Sequence, residues 1–232
     1  LTNRLLAPLA RTVMQGFPGV LQGDRVVTTG NPVRKDIMRV SVPEERMVGR
    51  DQQPLRLLVL GGSLGAKVFN DIMPETLHAM PAASRVEVWH QTGINHFEVT
   101  RARYEERGIT TARLMPFIDD MAGAYAWADI VLCRAGALTV SELCIVGAAS
   151  ILVPFPYAAD DHQTANARYL ADAGGAVLLS QQELTVARIT GLLSEFDRDR
   201  TRLIGMAVAA RKQAYPDATA DIAAICMGVI NG

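Results

Sequence analysis

The stretch from Asp129 to Glu142 contains residue types whose spacing suits the binding of a nucleotide. The apolar residues 130–132 predict a buried strand, and a tight turn around Gly136 is expected directly after it. Residues 138–146 are apolar enough to form a helix packed on a sheet, with Gly147 at the position of a C-cap. The stretch therefore predicts a strand, a turn and a helix in direct succession.

The start of that helix predicts a site for an anion, because unpaired N–H groups and the helix dipole both favour negative charge there. Glu142 lies one turn into the helix, in a mostly apolar setting where a carboxylate needs a partner. A vicinal diol such as a ribose offers two donors. The alternative is an ordinary strand–helix unit in which Arg134 and Glu142 pair with each other or remain solvated.

A second candidate is the glycine-rich turn GGSLGA at residues 61–66, which lies between a predicted strand at 55–60 and a predicted helix at 67–80. Backbone N–H groups in such a turn can cradle a phosphate, and Ser63 can add a hydroxyl. The turn matches neither the Gly-x-Gly-x-x-Gly dinucleotide pattern nor a P-loop. A tight turn that packs the helix close to the strand is the alternative.

A third group of polar residues follows the predicted strand at 150–155. His162, Gln163 and Asn166 share one face of a predicted helix, whose N-cap is one of the two preceding aspartates. Imidazole and amide groups at the end of a strand suit a sugar with several hydroxyls. A polar capping turn is the alternative.

Other residues carry weaker signals. Arg34 follows a Gly-Asn-Pro turn and can hold a phosphate, although such an arginine is more often solvated. Asp119 and Asp120 resemble a metal-binding pair, but aspartates in the first turn of a helix more commonly cap it. His90, at the end of a predicted strand, is interpreted as structural.

The elements that must position these residues form a pattern of strand and helix repeated about six times. The pattern predicts an α/β fold with a parallel sheet and helices on both faces. Five polar features come just after predicted strands, at Ser63, Ile118, Gly136, Glu142 and Gln163. Because open α/β sheets bind ligands at the carboxyl ends of their strands, these features are expected to converge on one site.

The composition indicates a full apolar core and no strong bias of charge. Of 232 residues, 49% are hydrophobic, and the formal net charge of −1 argues against a general nucleic-acid binder. No segment reaches the roughly 18 apolar residues that would span a bilayer. Cysteines in apolar contexts predict buried thiols in a reducing compartment, with neither disulfide nor metal spacing. They are Cys133, Cys144 and Cys226.

The N-terminal segment is too short to be a domain. Residues 1–22 predict a short helix because apolar residues recur there at helical spacing: Leu5, Leu6, Leu9 and Val13. Residues 26–29 predict a short strand. The chain begins with Leu1 rather than Met, and it is expected to be a fragment of a longer protein.

Five motifs, taken together and in order, resemble the MurG family of N-acetylglucosaminyltransferases, which make lipid II in bacterial peptidoglycan synthesis. They are GNPVR at 30–34, GGSLGA at 61–66, FIDDM at 117–121, RAGALTVSE at 134–142 and DDHQTAN at 160–166. The resemblance covers essentially the whole chain. It implies the GT-B architecture of two Rossmann-like domains, of which this chain is the C-terminal, donor-binding half.

The resemblance also implies a division of the chain. Residues 1–22 would be a remnant of the N-terminal acceptor domain, and residues 23–54 an interdomain connection with a short strand. Residues 55–214 would form the Rossmann-like domain that binds UDP-GlcNAc, and residues 215–232 a C-terminal crossover helix.

For the nucleoside, the resemblance implies that Glu142 hydrogen-bonds the ribose diol of UDP-GlcNAc. Backbone groups of Ile118 would read the edge of the uracil, with Phe117 and Met121 lining its pocket. These assignments would place the uridine at the carboxyl ends of the central strands.

For the rest of the donor, the resemblance implies contacts from several loops. Asn3, Asn70 and Arg134 match functionally sensitive positions of the family with less defined roles, and Leu64 stands where the family more often has Gln. The implied contacts are Arg34 and Ser63 for the diphosphate, Ala137, Leu138 and Thr139 for the diphosphate and the sugar, and His162 and Gln163 for the GlcNAc hydroxyls.

The implied reaction transfers GlcNAc to the C4 hydroxyl of MurNAc in undecaprenyl-diphosphate-MurNAc-pentapeptide (lipid I). It inverts the anomeric carbon and uses no metal and no cofactor. The family's candidate base is a histidine of the N-terminal domain, so no catalytic residue is assigned here and the chain alone is expected to be inactive. The implied partners are UDP-GlcNAc, lipid I and the cytoplasmic face of the bacterial inner membrane, bound peripherally, with no nucleic acid.

Three alternatives remain. The chain can be the donor-binding subunit of a two-chain GlcNAc transferase, although residues 1–22 argue against this. It can be a non-catalytic nucleotide-binding module, in which His162 and Gln163 would be replaceable. It can be a UDP-GlcNAc 2-epimerase of the same architecture, which needs additional acid and base residues that the sequence does not place. A nicotinamide dehydrogenase is disfavoured because the dinucleotide glycine pattern is missing.

Overall fold

The computed structural model describes residues 5–81, 84, 86–156 and 161–231, with side chains described as far as residue 228. Six of its strands form one parallel sheet, and β1 and β2 of the following list pair separately. The strands are β1 (Val13–Gln15), β2 (Val26–Thr28), β3 (Leu55–Leu60), β4 (Val86–Gln91), β5 (Ala112–Met115), β6 (Ile130–Cys133), β7 (Ala149–Leu152) and β8 (Ala176–Leu178).

The order of the large sheet is β5-β4-β3-β6-β7-β8. The chain runs outward from β3 to β5, returns to the centre, and runs outward again from β6 to β8. The direction of winding therefore switches between β3 and β6. A switch of this kind opens a crevice at the carboxyl ends of the two strands, where α/β sheets bind their ligands.

Helices connect the strands and cover the sheet. Among the helices of the described chain, none is long and apolar enough to cross a bilayer. The helices are α1 (Lys35–Met38), α2 (Pro43–Arg46), α3 (Lys67–Ala79), α4 (Phe97–Glu106), α5 (Met121–Trp127), α6 (Ala137–Val146), α7 (His162–Asp172), α8 (Val186–Arg198), α9 (Arg200–Arg211) and α10 (Ala218–Asn231). The predicted strand–helix order is confirmed, with boundaries shifted by a few residues.

The core has two layers, one on each face of the sheet. Leu57 and Val59 of β3 point into a layer that also contains side chains of α3, α8 and α9. Leu58 and Leu60 point into the opposite layer, with side chains of α5, α6 and α7. Because successive residues of a strand face opposite sides, a strand covered on both faces is apolar throughout. The predicted α/β fold, with a parallel sheet and helices on both faces, is confirmed.

The N-terminal prediction of a helix reaching Val13 is wrong. Residues 5–9 are helical, the last three of them as a 3-10 turn (Ala7–Leu9), and Val13 instead begins β1, which pairs with β2. The apolar residues on which the helix prediction rests are not buried, since the side chains of Leu5 and Leu9 are 67% and 83% exposed. Because an amphipathic helix depends on packing for most of its stability, the unburied stripe does not extend the helix to Val13, and the strand pairing prevails.

The prediction of buried thiols holds for two of the three cysteines. Cys133 and Cys144 are buried, and burial raises the pKa of each thiol to about 12. Cys226 is exposed on α10, which corrects the prediction for that residue. Apolar neighbours in the sequence predict burial only where another element covers that face of the helix. Met227, the residue after Cys226, is also exposed.

A buried carboxylate joins three segments at the amino end of β6. Asp129 is 3% exposed and accepts hydrogen bonds from the Arg50 Nε at 2.7 Å, the Arg200 Nη1 at 3.3 Å and the Arg56 backbone N–H at 2.9 Å. Arg50 and Arg56 belong to the segment that leads into β3, and Arg200 begins α9, so the cluster joins two distant segments to the start of β6. The cluster fixes the amino end of the sheet, opposite the end where the strands open into a cleft.

Candidate functional site

A cleft of about 240 Å³ opens at the carboxyl ends of β3, β4 and β6. Ile118, Gly136, Glu142 and Gln163, predicted to converge, all line it. Ser63 lines an adjoining groove that shares Gly61, Gly62, Arg134 and Gln163 with the cleft. The remaining residues that line the cleft are Leu60, Gln91, Phe117, Met121, Tyr125, Cys133 and Thr139.

Glu142 is half-buried, and its partner is a phenol. The Tyr125 hydroxyl donates a hydrogen bond to Glu142 Oε2 at 2.9 Å. Burial raises the pKa of Glu142, while the hydrogen bond from Tyr125 and the positive charge of Arg34 oppose that rise. The carboxylate is therefore held in the cleft by Tyr125 through Oε2.

The alternative of an Arg134–Glu142 pair is wrong. The Arg134 guanidinium turns away and donates to the carbonyls of Val153 and Pro154, at 3.2 and 3.1 Å, and to Gln181 Oε1 at 2.6 Å. It lies 5.3 Å from the centre of the Phe155 ring. Burial lowers the pKa of Arg134, which means that its charge is poorly solvated. It borders both the cleft and the groove, where an anion would stabilise it.

The start of α6 faces the cleft without a side-chain cap. Gly136, its N-cap, has a φ of −62°, which any residue can adopt. A Cβ added there would make only one contact, with Thr139 Oγ1 at 3.6 Å. The backbone does not require this glycine, so its missing side chain serves to leave space beside the first N–H groups of the helix. Thr139 lines the cleft, whereas Ala137 and Leu138 are exposed at its edge.

The glycine-rich turn after β3 packs tightly against the loop after β4. Gly65 has a φ of +77°, and a Cβ there would lie 2.0 Å from the Thr92 carbonyl oxygen. The Asn70 Nδ2 donates to that same oxygen at 2.9 Å. The tight-turn interpretation is therefore correct for Gly65, and Asn70 is buried beneath the turn. Ser63 remains exposed on the groove side, where it can meet a ligand.

The apolar end of the cleft is formed by the loop between β5 and α5. Phe117 is half-exposed and Met121 lies beside it, both lining the cleft. The Ile118 N–H is already bonded, since it donates to the Gln91 Oε1 at 3.0 Å. The backbone of Ile118 thus lies at the predicted end of the cleft, but its N–H is not free for a base.

The polar residues of α7 do not act as one face. Gln163 lines the cleft and its Oε1 accepts from the Phe155 N–H at 2.9 Å, whereas the Asn166 Nδ2 donates to the Ala135 carbonyl at 3.0 Å. His162 is exposed at the first position of the helix. Asn166 therefore supports the turn before α6. Asn3 and Asp160 lie outside the residues that the structure describes.

Three other sequence interpretations are settled by geometry. Asp120 caps α5, accepting from the Gly123 N–H at 2.8 Å, as predicted. His90 is fully buried beside the Tyr104 hydroxyl, and burial lowers its pKa to about 3, which confirms a structural role. Arg34 is exposed, with its Nε 3.8 Å from Asp36 Oδ1, and it does not line the cleft, although its charge acts on Glu142. Within the described ranges, no group of three or more His, Cys, Asp or Glu could hold a metal.

Two residues of the cleft were missed by sequence reasoning. Tyr125 occupies an apolar position of α5, and that position hides the role of its hydroxyl. Gln91 is the last residue of β4 and thus follows the same rule as the other polar features. Its position at the end of a strand was the signal that could have identified it.

Comparisons with known proteins give a consistent result. Residues 56–222 match the family model "Glycosyltransferase family 28 C-terminal domain". A protein of Marinobacter nauticus is 50% identical over the whole of this chain and 64% of its own length, and one of Azoarcus sp. is 51% identical with the same coverage. Both are named UDP-N-acetylglucosamine–N-acetylmuramyl-(pentapeptide) pyrophosphoryl-undecaprenol N-acetylglucosamine transferase.

A solved structure agrees with the sequence relatives. The crystal structure of Acinetobacter baumannii MurG superposes with a TM-score of 0.85 at 38% identity, covering 97% of this chain and 62% of that one. The chain thus spans somewhat less than two thirds of the relatives that it matches.

Proposed function

The chain belongs to glycosyltransferase family 28, and from that premise we propose that it forms the UDP-GlcNAc-binding part of an enzyme that transfers GlcNAc to lipid I. The observation that carries the proposal is Glu142, a half-buried carboxylate held by Tyr125 in a cleft at the switch point of the sheet. The two hydroxyls of a ribose can donate hydrogen bonds to this carboxylate. The names of the relatives supply the sugar and the acceptor.

The donor fits the cleft from its apolar end outward. The uracil lies against Phe117, Ile118 and Met121, and the ribose reaches Glu142. The diphosphate then lies beside the start of α6, where Gly136 leaves space and Thr139 lines the wall. The GlcNAc extends toward Gln163, with His162 at the rim.

Charge stabilisation in this arrangement is concentrated on the leaving group. As the bond to the anomeric carbon breaks, negative charge develops on the diphosphate. The dipole and the unpaired N–H groups at the start of α6 stabilise that charge, as does the poorly solvated guanidinium of Arg134. Arg34 and Ser63 reach the diphosphate from the other loops in this proposal.

The acceptor hydroxyl attacks from the face opposite the leaving UDP, which inverts the anomeric carbon. The proton of that hydroxyl passes to a base in the part of the enzyme that lies outside this chain. Binding of the donor and transfer of the sugar are therefore separable activities. Since lipid I is a membrane lipid, the proposed enzyme works at the cytoplasmic face of the inner membrane.

The UDP-GlcNAc 2-epimerase alternative is disfavoured by the lining of the cleft. That reaction needs several acid and base groups around the sugar. Within the described lining, Glu142 is the only carboxylate of the cleft, and it is bonded to Tyr125. Asp71, at the edge of the groove, is paired with Lys67 and Arg103.

The test is calorimetric titration of the chain with UDP-GlcNAc, UDP and GDP. Uridine ligands are expected to bind in preference to GDP. Glu142→Ala is expected to weaken UDP binding by about 1–3 kcal/mol, because hydrogen bonds to a charged acceptor are lost. Glu106→Ala, an exposed carboxylate on α4, is the control and should change nothing. A folded chain without preference for uridine would contradict the proposal.

A further inference from the structure

Gln181 lies on the turn after β8 and makes a contact that reaches from the edge of the sheet toward its centre. Its Oε1 accepts a hydrogen bond of 2.6 Å from the Nη2 group of Arg134, the residue that follows β6. Gln181 also lines the groove beside the cleft, together with Arg134 and Ser63. The contact therefore lies where the groove and the cleft meet.

The turn that carries Gln181 is held by side chains on either side of it. Glu183 Oε2 accepts from the Ser180 N–H at 2.8 Å, and the Glu183 N–H donates to the Ser180 Oγ at 3.3 Å. Gln181 lies between these two residues, so its backbone is fixed without any help from Arg134. The amide is thus presented to the guanidinium from a turn that is already bonded.

The guanidinium of Arg134 is confined on several sides. Its Nη1 donates to the carbonyls of Val153 and Pro154, at 3.2 and 3.1 Å. Its Cζ lies 5.2 Å from the ring centre of Phe69 and 5.3 Å from that of Phe155. Among the described residues, only Gln181 accepts from Nη2, so the amide completes the orientation of the group.

These partners orient Arg134 but do not neutralise it. Carbonyl and amide oxygens accept hydrogen bonds without carrying a formal charge. Burial lowers the pKa of Arg134, and no carboxylate in the part of the chain that the structure describes offsets that effect. Arg200, another buried arginine, instead pairs with Asp129 and Asp197. The charge of Arg134 therefore remains available to an anion.

We propose that Gln181 is a positioning residue, which aims the Arg134 guanidinium at the diphosphate of the donor and, because it is an amide, leaves the positive charge free for that ligand. A glutamate at this position would also hold the guanidinium, but it would compete with the diphosphate for it. This inference rests on the proposed function, because it requires a nucleoside diphosphate in the cleft.

The first test is titration of Gln181→Leu with UDP and with uridine. Leucine is similar in size but has no acceptor, so Nη2 loses the contact that orients it. UDP is expected to bind about five- to tenfold more weakly, whereas uridine, which has no phosphate, should bind within about twofold of the wild type. Gln182→Leu, exposed on the same turn, is the matched control and should leave both affinities unchanged. A purely structural role would weaken both ligands alike.

Gln181→Glu tests whether the charge must stay free. The carboxylate keeps an acceptor for Nη2 but neutralises the guanidinium. At pH 8, UDP should therefore bind at least about fivefold more weakly, again without a change for uridine. This variant also decides the question if Gln181→Leu does not fold. If the ratio of the UDP and uridine affinities stays within twofold of the wild type in either folded variant, the role of Gln181 is wrong while the proposed function stands.

Arg134→Met identifies the residue through which Gln181 acts. In that background, adding Gln181→Leu should change the affinity for UDP by less than about twofold, since no guanidinium remains to be positioned. A further loss as large as that in the wild-type background would overturn the inference. If the wild type shows no preference for UDP over GDP, the proposed function fails and this inference fails with it.

Discussion

Glu142 combines two demands that oppose each other at a single residue. Binding of a diol requires an ionised carboxylate, but burial in the cleft favours its neutral form and raises its pKa. The hydrogen bond from Tyr125 partly offsets that cost by stabilising the charged form. Tyr125 is therefore a positioning residue, which orients the carboxylate and favours its ionised form.

The first prediction concerns Tyr125→Phe. Losing the hydrogen bond should lower the free energy of unfolding at pH 7 by about 1–3 kcal/mol and weaken UDP binding. It should also raise the pKa of Glu142 further, so that binding fails at a higher pH than in the wild type as the solution is acidified. Titration of UDP at a series of pH values measures this shift.

Tyr104→Phe is the control for that experiment. Tyr104 is also buried and bonded, in this case to His90, but it lies away from the cleft. Its loss should reduce stability without moving the pH dependence of UDP binding. Equal pH profiles for the two variants would contradict the role of Tyr125.

The pH dependence of stability has a definite sign for Glu142. Because its pKa in the folded state is raised, its contribution to stability is fully present below its ordinary pKa and is lost as the pH rises through the raised value. Above the raised pKa, the ionised Glu142 carboxylate thus makes the folded state less stable than it is below the ordinary pKa. The site accepts this cost in order to hold a charged acceptor in the cleft.

At the scale of elements, two strand–helix junctions form the cleft and use glycine for different reasons. At the β3–α3 junction, Gly65 is required because its φ is positive and the Thr92 carbonyl leaves no room for a side chain. At the β6–α6 junction, Gly136 has an ordinary conformation and open space in front of it. The first glycine maintains the fold, and the second leaves room for a ligand.

This contrast predicts different results for two alanine substitutions. Gly65→Ala should lower the free energy of unfolding by roughly 2 kcal/mol or more, because strain and a clash combine. Gly136→Ala should change stability by less than about 1 kcal/mol but weaken UDP binding by about tenfold or more, since the methyl group would occupy the space proposed for the diphosphate. Chemical unfolding and calorimetric titration measure the two effects.

Gly108→Ala separates strain from clash in the same experiment. Gly108 has a φ of +67° with nothing near its Cβ position, so only the strain of about 1 kcal/mol is expected there.

Normal UDP binding by Gly136→Ala would show that the start of α6 does not approach the ligand.

At the scale of the whole molecule, the sheet separates stability from binding. The cluster around Asp129 lies before the first residue of β6, and the cleft lies beyond its last. Arg50 and the Arg56 N–H, from the segment that leads into β3, and Arg200, at the start of α9, meet at one buried carboxylate. The amino end of β6 therefore contributes to stability, and its carboxyl end borders the cleft.

Asp129→Asn tests this separation. Removing the charge leaves two partly buried guanidinium groups without their partner, which should lower the free energy of unfolding by about 3–5 kcal/mol. The affinity for UDP of the fraction that remains folded should stay within about twofold of the wild type. Urea unfolding and titration at low temperature measure the two quantities, with exposed Asp172→Asn as the control. A loss of affinity comparable to that of Glu142→Ala would show that the two ends are coupled.

The sequence by itself determined the order of strands and helices, because the spacing of apolar residues reports which side of each element is buried. It also predicted that the polar residues after parallel strands meet at one edge of the sheet, where they line the cleft. The cap at Asp120 and the end of α6 at Gly147 were predictable because they depend only on nearby residues.

Only the tertiary structure decided which polar groups meet. Tyr125 and Glu142 are 17 residues apart, and Gln91 and Ile118 are 27 apart, so no local pattern pairs them. Val13 lies in a strand rather than a helix because it pairs with Val26 of β2. Such contacts depend on how helices and strands pack across the sheet, and a short sequence window contains the spacing within one element but not the distances between elements.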